Sequence, residues 1–364
     1  MNDNTNNLYI YGAGKRGSEL FEIVQEFYAD KINIRGFIDR EKKGTKYNLP
    51  IYDLDSIPYD SIIVISIFRF ELALEIALNL KEKGFSEIYW YSVENKRKIR
   101  INFFLEQCIN CSEWSEETLF HVEMHAMDAC NLNCIGCTHF SPILKKEKPD
   151  LKTQLLNIDL LSKKIASIAQ FHILGGEPFL NDEILYYVKK VRETYPLSSI
   201  IIVTNGLLIP KLPKNVLKYL AEENISVSIS EYEPTHQMID QIKNVLNQYN
   251  VMYYIREARE TFNIPLSINK TDEIYCISNG CITIAKGKIS RCPTLMYIED
   301  FNKKFNFSFP NEGILDLETE MSGIELKKKL YEAIPLCQYC VKNEVSWGRC
   351  GKEIVAEYFV KMND

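Results

Sequence analysis

The chain has 364 residues, 46% of them hydrophobic and 25% charged, with a formal net charge of −6 and a pI near 5.6. That length predicts two or three domains of a soluble globular protein, and the acidic balance argues against nucleic acid as a main partner. No apolar run reaches the roughly 20 residues that span a bilayer, and the polar start lacks the basic-then-apolar order of a signal peptide. The expected location is cytoplasmic, where eleven cysteines read as metal ligands rather than disulfides.

Residues 1–95 open with an apolar strand at 8–11 that runs into a turn carrying Gly12, Gly14 and Gly17. An amphipathic helix follows, with Leu20, Phe21, Val24, Phe27 and Tyr28 at helical spacing, and then a strand at 34–38 that ends on Asp39. Strand, glycine turn, helix, strand and acid is the order of a nucleotide-binding β-α-β unit. The glycines allow a tight turn, the helix N-terminus favours a phosphate, and Asp39 is placed to hold ribose hydroxyls. A strand at 62–66, a helix at 71–83 and a strand at 87–91 complete a small Rossmann-like parallel sheet. The alternative is a degenerate module used only for packing. With Gly36-Phe37-Ile38-Asp39 closing its second strand, the unit resembles the N-terminal domain of bacterial sugar acyltransferases. That resemblance implies a nucleotide-linked sugar as ligand.

Residues 96–118 read as a connector. They hold a basic run at 96–100 and the pair Cys108 and Cys111, which lacks half the ligands of a zinc site and is expected to be structural.

Residues 119–270 begin with an apolar strand and then place Cys130, Cys134 and Cys137 within eight positions, in the spacing C-x3-C-x2-C. Three thiolates on one short loop can converge on a soft metal centre, and no fourth cysteine or well-spaced histidine completes a zinc site nearby. Buried or zinc-binding cysteines remain the plain alternative. Further strands are expected at 171–174, 199–204, 225–230 and 251–255, and helices at 160–169, 181–194, 214–223 and 236–248. This alternation predicts a full or partial (β/α) barrel of TIM type, with its chemistry at the C-terminal ends of the strands. Those ends carry Gly175-Gly176-Glu177, then Thr204 and Asn205, then Ser228, Ser230 and Glu231.

The cysteine spacing and the Gly-Gly-Glu strand end resemble the signatures of radical S-adenosylmethionine (SAM) enzymes. The resemblance implies a [4Fe–4S] cluster on Cys130, Cys134 and Cys137 whose open iron takes the methionine end of SAM. It implies cofactor contacts from Gly175, Gly176, Glu177, Thr204, Asn205, Ser228 and Ser230. The family's aromatic residue before the last cysteine is here Gly136, with His139 or Phe140 as possible substitutes for the adenine contact.

Residues 271–364 form a small cysteine-rich α+β extension with Cys276, Cys281, Cys292, Cys337, Cys340 and Cys350. The segment 281–292 alternates about a Lys-Gly turn and predicts a hairpin. The set resembles the SPASM or shorter twitch extension of radical SAM enzymes, which carries auxiliary iron–sulfur clusters. One auxiliary [4Fe–4S] cluster on Cys281, Cys292, Cys337 and Cys340 is expected, with Cys276 competing for a place and a zinc-ribbon-like site as the alternative.

The family chemistry implied is one-electron cleavage of SAM to a 5′-deoxyadenosyl radical that abstracts hydrogen from substrate. The expected substrate is a small molecule, a sugar or polyol joined to a nucleotide, undergoing oxidation, epimerisation or dehydration. An electron donor such as flavodoxin or ferredoxin is the expected partner. A peptide-modifying enzyme and a non-enzymatic metal scaffold are the competing readings.

Overall fold

The computed structural model describes residues 7–92, 105, 108–256, 260–276 and 280–362. The chain divides into two compact units, Met1–Thr118 and Leu119–Asp364.

In the first unit, β1 (Leu8–Tyr11), α1 (Lys15–Phe27) and β2 (Ile34–Ile38) follow as expected. Then come β3 (Gly44–Lys46), β4 (Leu49–Tyr52), β5 (Ile62–Ile65), α2 (Phe70–Glu82), β6 (Ile88–Trp90) and β7 (Ile109–Asn110). The sheet order is β3-β4-β2-β1-β5-β6-β7, parallel from β4 through β6 and closed by an antiparallel strand at each edge. Strands β1 and β5 are buried along their whole length, as apolar runs between two helical layers should be. Strand β7 belongs to this sheet, so the end of the connector is part of the first unit. Cys108 and Cys111 flank β7, both buried, and burial pushes both thiols well up, as structural cysteines require. The basic run at 96–100 lies outside the described residues.

The second unit starts with β8 (Leu119–Met127) and continues as α3 (Leu151–Ser162), β9 (Ile168–Gly175), α4 (Ile184–Thr194), β10 (Ser199–Thr204), α5 (Lys214–Glu222), β11 (Ser226–Ser230), α6 (Glu233–His236), α7 (Ile239–Gln248) and β12 (Tyr253–Arg256). The expected helix at 160–169 is displaced toward the N-terminus. Asp150 caps α3 by accepting the Thr153 N–H at 2.8 Å, which starts the helix at Leu151 and frees Ile168 to begin a strand.

The extension adds β13 (Thr261–Asn263), β14 (Leu266–Ser267), β15 (Ile282–Ala285), β16 (Lys288–Ser290), α8 (Pro293–Met296), α9 (Ile298–Phe305), β17 (Leu315–Asp316), α10 (Gly323–Tyr331), β18 (Glu344–Ser346) and β19 (Val360–Lys361). The main sheet runs β12-β11-β10-β9-β8-β15-β16-β17. Its first six strands are parallel, and its two ends do not meet, so the barrel is partial. The expected hairpin forms as β15 and β16, with Lys286 and Gly287 both at positive φ in the turn. It continues the barrel sheet through β15 on β8, so no compact boundary falls at residue 270.

Along β8, Val122, Met124 and Ala126 join the core under the helices, with Ile173 of β9 and Ile202 of β10. Alternation therefore turns His121, Glu123 and His125 to the opposite face. Among the described residues no helix is long and apolar enough to cross a membrane.

Candidate iron–sulfur and cofactor site

The cysteine loop leaves the C-terminal end of β8, and its sulfurs receive hydrogen bonds. Leu132 N–H donates to Cys130 Sγ at 3.4 Å, and Trp347 Nε1–H donates to Cys134 Sγ at 3.3 Å. Cys137 Sγ is met by groups of Ser141, His139 and Phe140. Burial pushes Cys130 to about 11 and Cys134 to about 12, and raises Cys137, with the three thiols opposing one another's ionisation. Neutral thiols gain little from so many directed donors. A cationic centre that fixes three thiolates explains both features, and the donor set fits a cluster. Among the described residues no three His, Cys, Asp or Glu side chains close on a point as ligands of a single ion do. A cubane takes one thiolate per iron, so its ligands stand further apart.

The glycines at the Gly-Gly-Glu end of β9 serve a close approach within the chain itself. Gly175 sits at φ +134°, and a Cβ there would lie 2.0 Å from Met127 O; at Gly176 it would lie 2.2 Å from Ala129 O. These glycines let the end of β9 lie against the root of the cysteine loop, sealed by Gly176 N–H to Met127 O (2.7 Å) and Glu177 N–H to Ala129 O (2.9 Å). Glu177 is fully buried. One carboxylate oxygen accepts Thr204 Oγ1–H at 2.7 Å and Phe179 N–H at 3.2 Å, and the other accepts Asn205 N–H at 3.0 Å. Burial nevertheless raises its pKa to about 7. Asn205 then reaches the cysteine loop through its side-chain N–H to Asn131 Oδ1 at 2.7 Å. Glu177, Thr204, Asn205 and the loop thus form one braced rim.

Ser228 stands apart from that brace and accepts Arg256 Nε–H at 3.0 Å; Ser230 is buried beside it on β11. Glu231 pairs with His236 at 2.6 Å. Neither substitute proposed for the missing aromatic fills that role. Phe140 is fully buried and stacks on Phe301 at 5.1 Å, within the extension's own core. His139 is hydrogen-bonded to His125. At Gly136, φ is +72° and a Cβ would meet Asn263 O at 2.8 Å, so the chain itself occupies the space an aromatic side chain would need.

The inner face of β8 and its neighbours carries a polar network that periodicity did not reveal. Asp128 contacts His125 at 2.8 Å, and His125 contacts His139 at 2.9 Å. Thr283 Oγ1–H donates to Glu123 at 2.8 Å, with His121 3.5 Å away on the other carboxylate oxygen. The His121 and His172 rings lie 3.9 Å apart. Burial depresses His139 to about 4 and pushes His172 well below the usual range, so both imidazoles are neutral at neutral pH.

Among the later cysteines, Cys340 interacts with Cys292, Cys337 and Cys276, and Cys292 with Cys276 and Cys337. Cys281 faces Glu123 first, with Cys292, Arg256 and Cys276 after it. Cys276, and not Cys281, is thus felt at Cys340, while Cys281 shares Cys292 and Cys276 with this group. Cys350 lies beside the first triad, where it interacts with Cys137 and Cys134.

In the first unit, Gly12 adopts φ +109°, and a Cβ on Gly17 would lie 1.9 Å from Gly12 O, which explains the turn's glycines. Gly14 caps α1 through its backbone alone. Asp39 is turned inward to the chain: it accepts Ala13 N–H at 2.8 Å and the N–H groups of Glu41 and Lys42 at 3.0 Å. Burial works against ionisation there, but these donors and Lys42 outweigh it and hold its pKa below the usual carboxylate range. Lys42 and Lys46 both donate to Ala13 O, at 3.2 and 3.0 Å.

Residues 121–251 match the model of a 4Fe–4S single cluster domain. Curated relatives include a GTP 3′,8-cyclase of Limosilactobacillus fermentum, 28% identical over 31% of this chain and 34% of that protein. Another, from Clostridium acetobutylicum, is 29% identical over 50% of this chain and 64% of that protein. The chain thus spans between about a third and two thirds of the length of these relatives. Among solved structures, BtrN in complex with AdoMet and 2-DOIA is 20% identical, covers 61% of this chain and 92% of its own, and superposes with a TM-score of 0.39.

Proposed function

We propose that this chain, whose central segment matches a 4Fe–4S single cluster domain, is a radical SAM enzyme that abstracts hydrogen from a sugar or polyol carried on a nucleotide. The product would be oxidised, epimerised or dehydrated. The observation that carries the reading is the cysteine triad: three thiols, Cys134 buried and Cys130 and Cys137 half-buried, receive directed hydrogen bonds on a rim braced by Glu177, Thr204 and Asn205. When bound, the cluster and SAM supply a 5′-deoxyadenosyl radical. The chain's own residues hold the loop, exclude water and orient substrate.

The polar inner face supports a hydroxylated substrate. Gln170, His172, Ser228, Arg256 and Glu123 offer both donors and acceptors, and Arg256 provides charge without a lysine cluster of the kind a free phosphate attracts. The glycine turn of the first unit, with Lys42 and Lys46 beside it, supports nucleotide binding by that unit. The curated relatives are named for a nucleotide, GTP, which agrees with a nucleotide-linked substrate. Cys276, Cys292, Cys337 and Cys340 are the proposed ligands of one auxiliary [4Fe–4S] cluster, and a flavodoxin or ferredoxin the proposed electron donor.

Anaerobically reconstituted protein should release 5′-deoxyadenosine faster with nucleotide sugars than without them. Stimulation by a peptide panel alone would transfer the assignment to peptide modification. Complete absence of SAM cleavage would leave a metal-binding scaffold.

A further inference from the structure

The chain beyond Cys340 folds back along the cysteine loop as a strap. Arg349 bridges Cys134 in antiparallel fashion, Ile135 N–H donates to Gly348 O at 2.9 Å, and Cys350 N–H donates to Asn133 O at 2.8 Å. Gly136 N–H adds a bond to Tyr358 O at 2.7 Å. Four successive loop residues, 133–136, are therefore paired by backbone to the C-terminal segment. At the head of the strap stands Trp347. Its backbone N–H is held by Glu260 O at 2.8 Å, and its ring stacks on Tyr232 with centroids 5.6 Å apart and 20° between planes. An indole has one polar hydrogen and no acceptor, and here that hydrogen points at Cys134 Sγ.

We infer that Trp347 is a positioning residue for the first cluster, donating an N–H···S hydrogen bond to the Cys134 thiolate that raises the cluster's reduction potential and fixes its sulfur. The inference rests on the cluster assignment above. A donor at a ligand sulfur draws off negative charge and so favours the reduced state, which carries one more electron. Stacking on Tyr232, two residues past β11, holds the donor in line without using its hydrogen.

The test uses the full-length, anaerobically reconstituted protein and an EPR-monitored redox titration of the cluster whose signal changes on adding SAM. Trp347→Phe keeps an aromatic surface for Tyr232 and removes the donor. The expected result is full iron content with a more negative potential, and a partial return in Trp347→His, which restores a ring N–H. An unchanged potential in Trp347→Phe at full iron content overturns the inference. Should Trp347→Phe assemble no cluster, wild-type protein carrying indole-15N tryptophan decides: a 15N coupling to the reduced cluster supports the bond, and its absence refutes it. A wild type with no SAM-responsive cluster would remove the reading beneath the inference, which is a different failure from an unshifted variant.

Discussion

Glu177 allows the most quantitative test of the braced rim. Its carboxylate is fully buried, receives three hydrogen bonds, and still titrates near 7 against an ordinary value of 4.5, because burial outweighs the donors from Thr204, Asn205 and Phe179. Its folded pKa lies above its unfolded one, so the folded state binds more protons between those values. Stability contributed at this site is complete below about pH 4.5 and falls as pH rises through about 7. At 1.36 kcal/mol per pKa unit, the loss is roughly 3 kcal/mol. Glu177→Gln keeps the shape and cannot ionise: its oxygen accepts Asn205 N–H while its amide donates to Thr204 Oγ1, at the cost of the Phe179 bond. The difference in unfolding free energy between variant and wild type should therefore grow by roughly 3 kcal/mol in the variant's favour from pH 4.5 to 8. Urea unfolding of the cluster-free protein, followed on the transition of the second unit, measures it. A difference that does not change with pH would mean that Glu177 is solvated, and the rim is not the dry brace described here.

Two further outcomes follow from the same contacts. Cys276→Ala should lose the auxiliary cluster's share of iron and acid-labile sulfide, whereas Cys281→Ala should keep it; the reverse pattern restores the membership expected from sequence. Asp39→Ala strips the acceptor from three backbone N–H groups and should destabilise the first unit by about 1–3 kcal/mol in differential scanning calorimetry, while the iron absorption of the second unit is unaffected.

The buried strands were legible because their apolar runs are continuous, and β10 was placed at both ends as observed. The cysteine triad was legible because its three members fall within eight positions. What the sequence did not reveal was anything settled by a distant partner. A glycine announces that backbone must pass close by, but not that the neighbour at Gly175 and Gly176 is the chain's own Met127 and Ala129. Asp39 stands where an acid of a β-α-β unit should stand, yet spends its oxygens on the turn beside it. Cys276 and Cys281 are five positions apart, and only the packing around Cys340 separates them. Trp347 and Cys134 are 213 residues apart, and a lone tryptophan carries no mark of the sulfur it serves. The one signal overlooked locally was Asp150, whose side chain fixes the start of α3.

The polar inner face bears on how substrate and rim divide the work. A packed β/α barrel usually fills its interior with branched apolar side chains, which is the cheaper solution for stability. This chain instead places His121, Glu123, His125 and His172 on two adjacent strands and draws His139 in from the cysteine loop. With Glu177, Thr204 and Asn205 spent on one another, the strand-end groups that brace the loop have few free hydrogen bonds left for a ligand. Under the proposed function, capacity for polar recognition lies deeper, at His121, whose buried Nε2 stands 3.5 Å from Glu123, and at the Ser228–Arg256 pair. Imidazoles with one guanidinium and one carboxylate suit a ring of hydroxyls, each of which donates and accepts, better than a peptide side chain or a multiply charged phosphate. Under the proposed function the rim sets where the radical forms, and the inner face sets which carbon is presented to it.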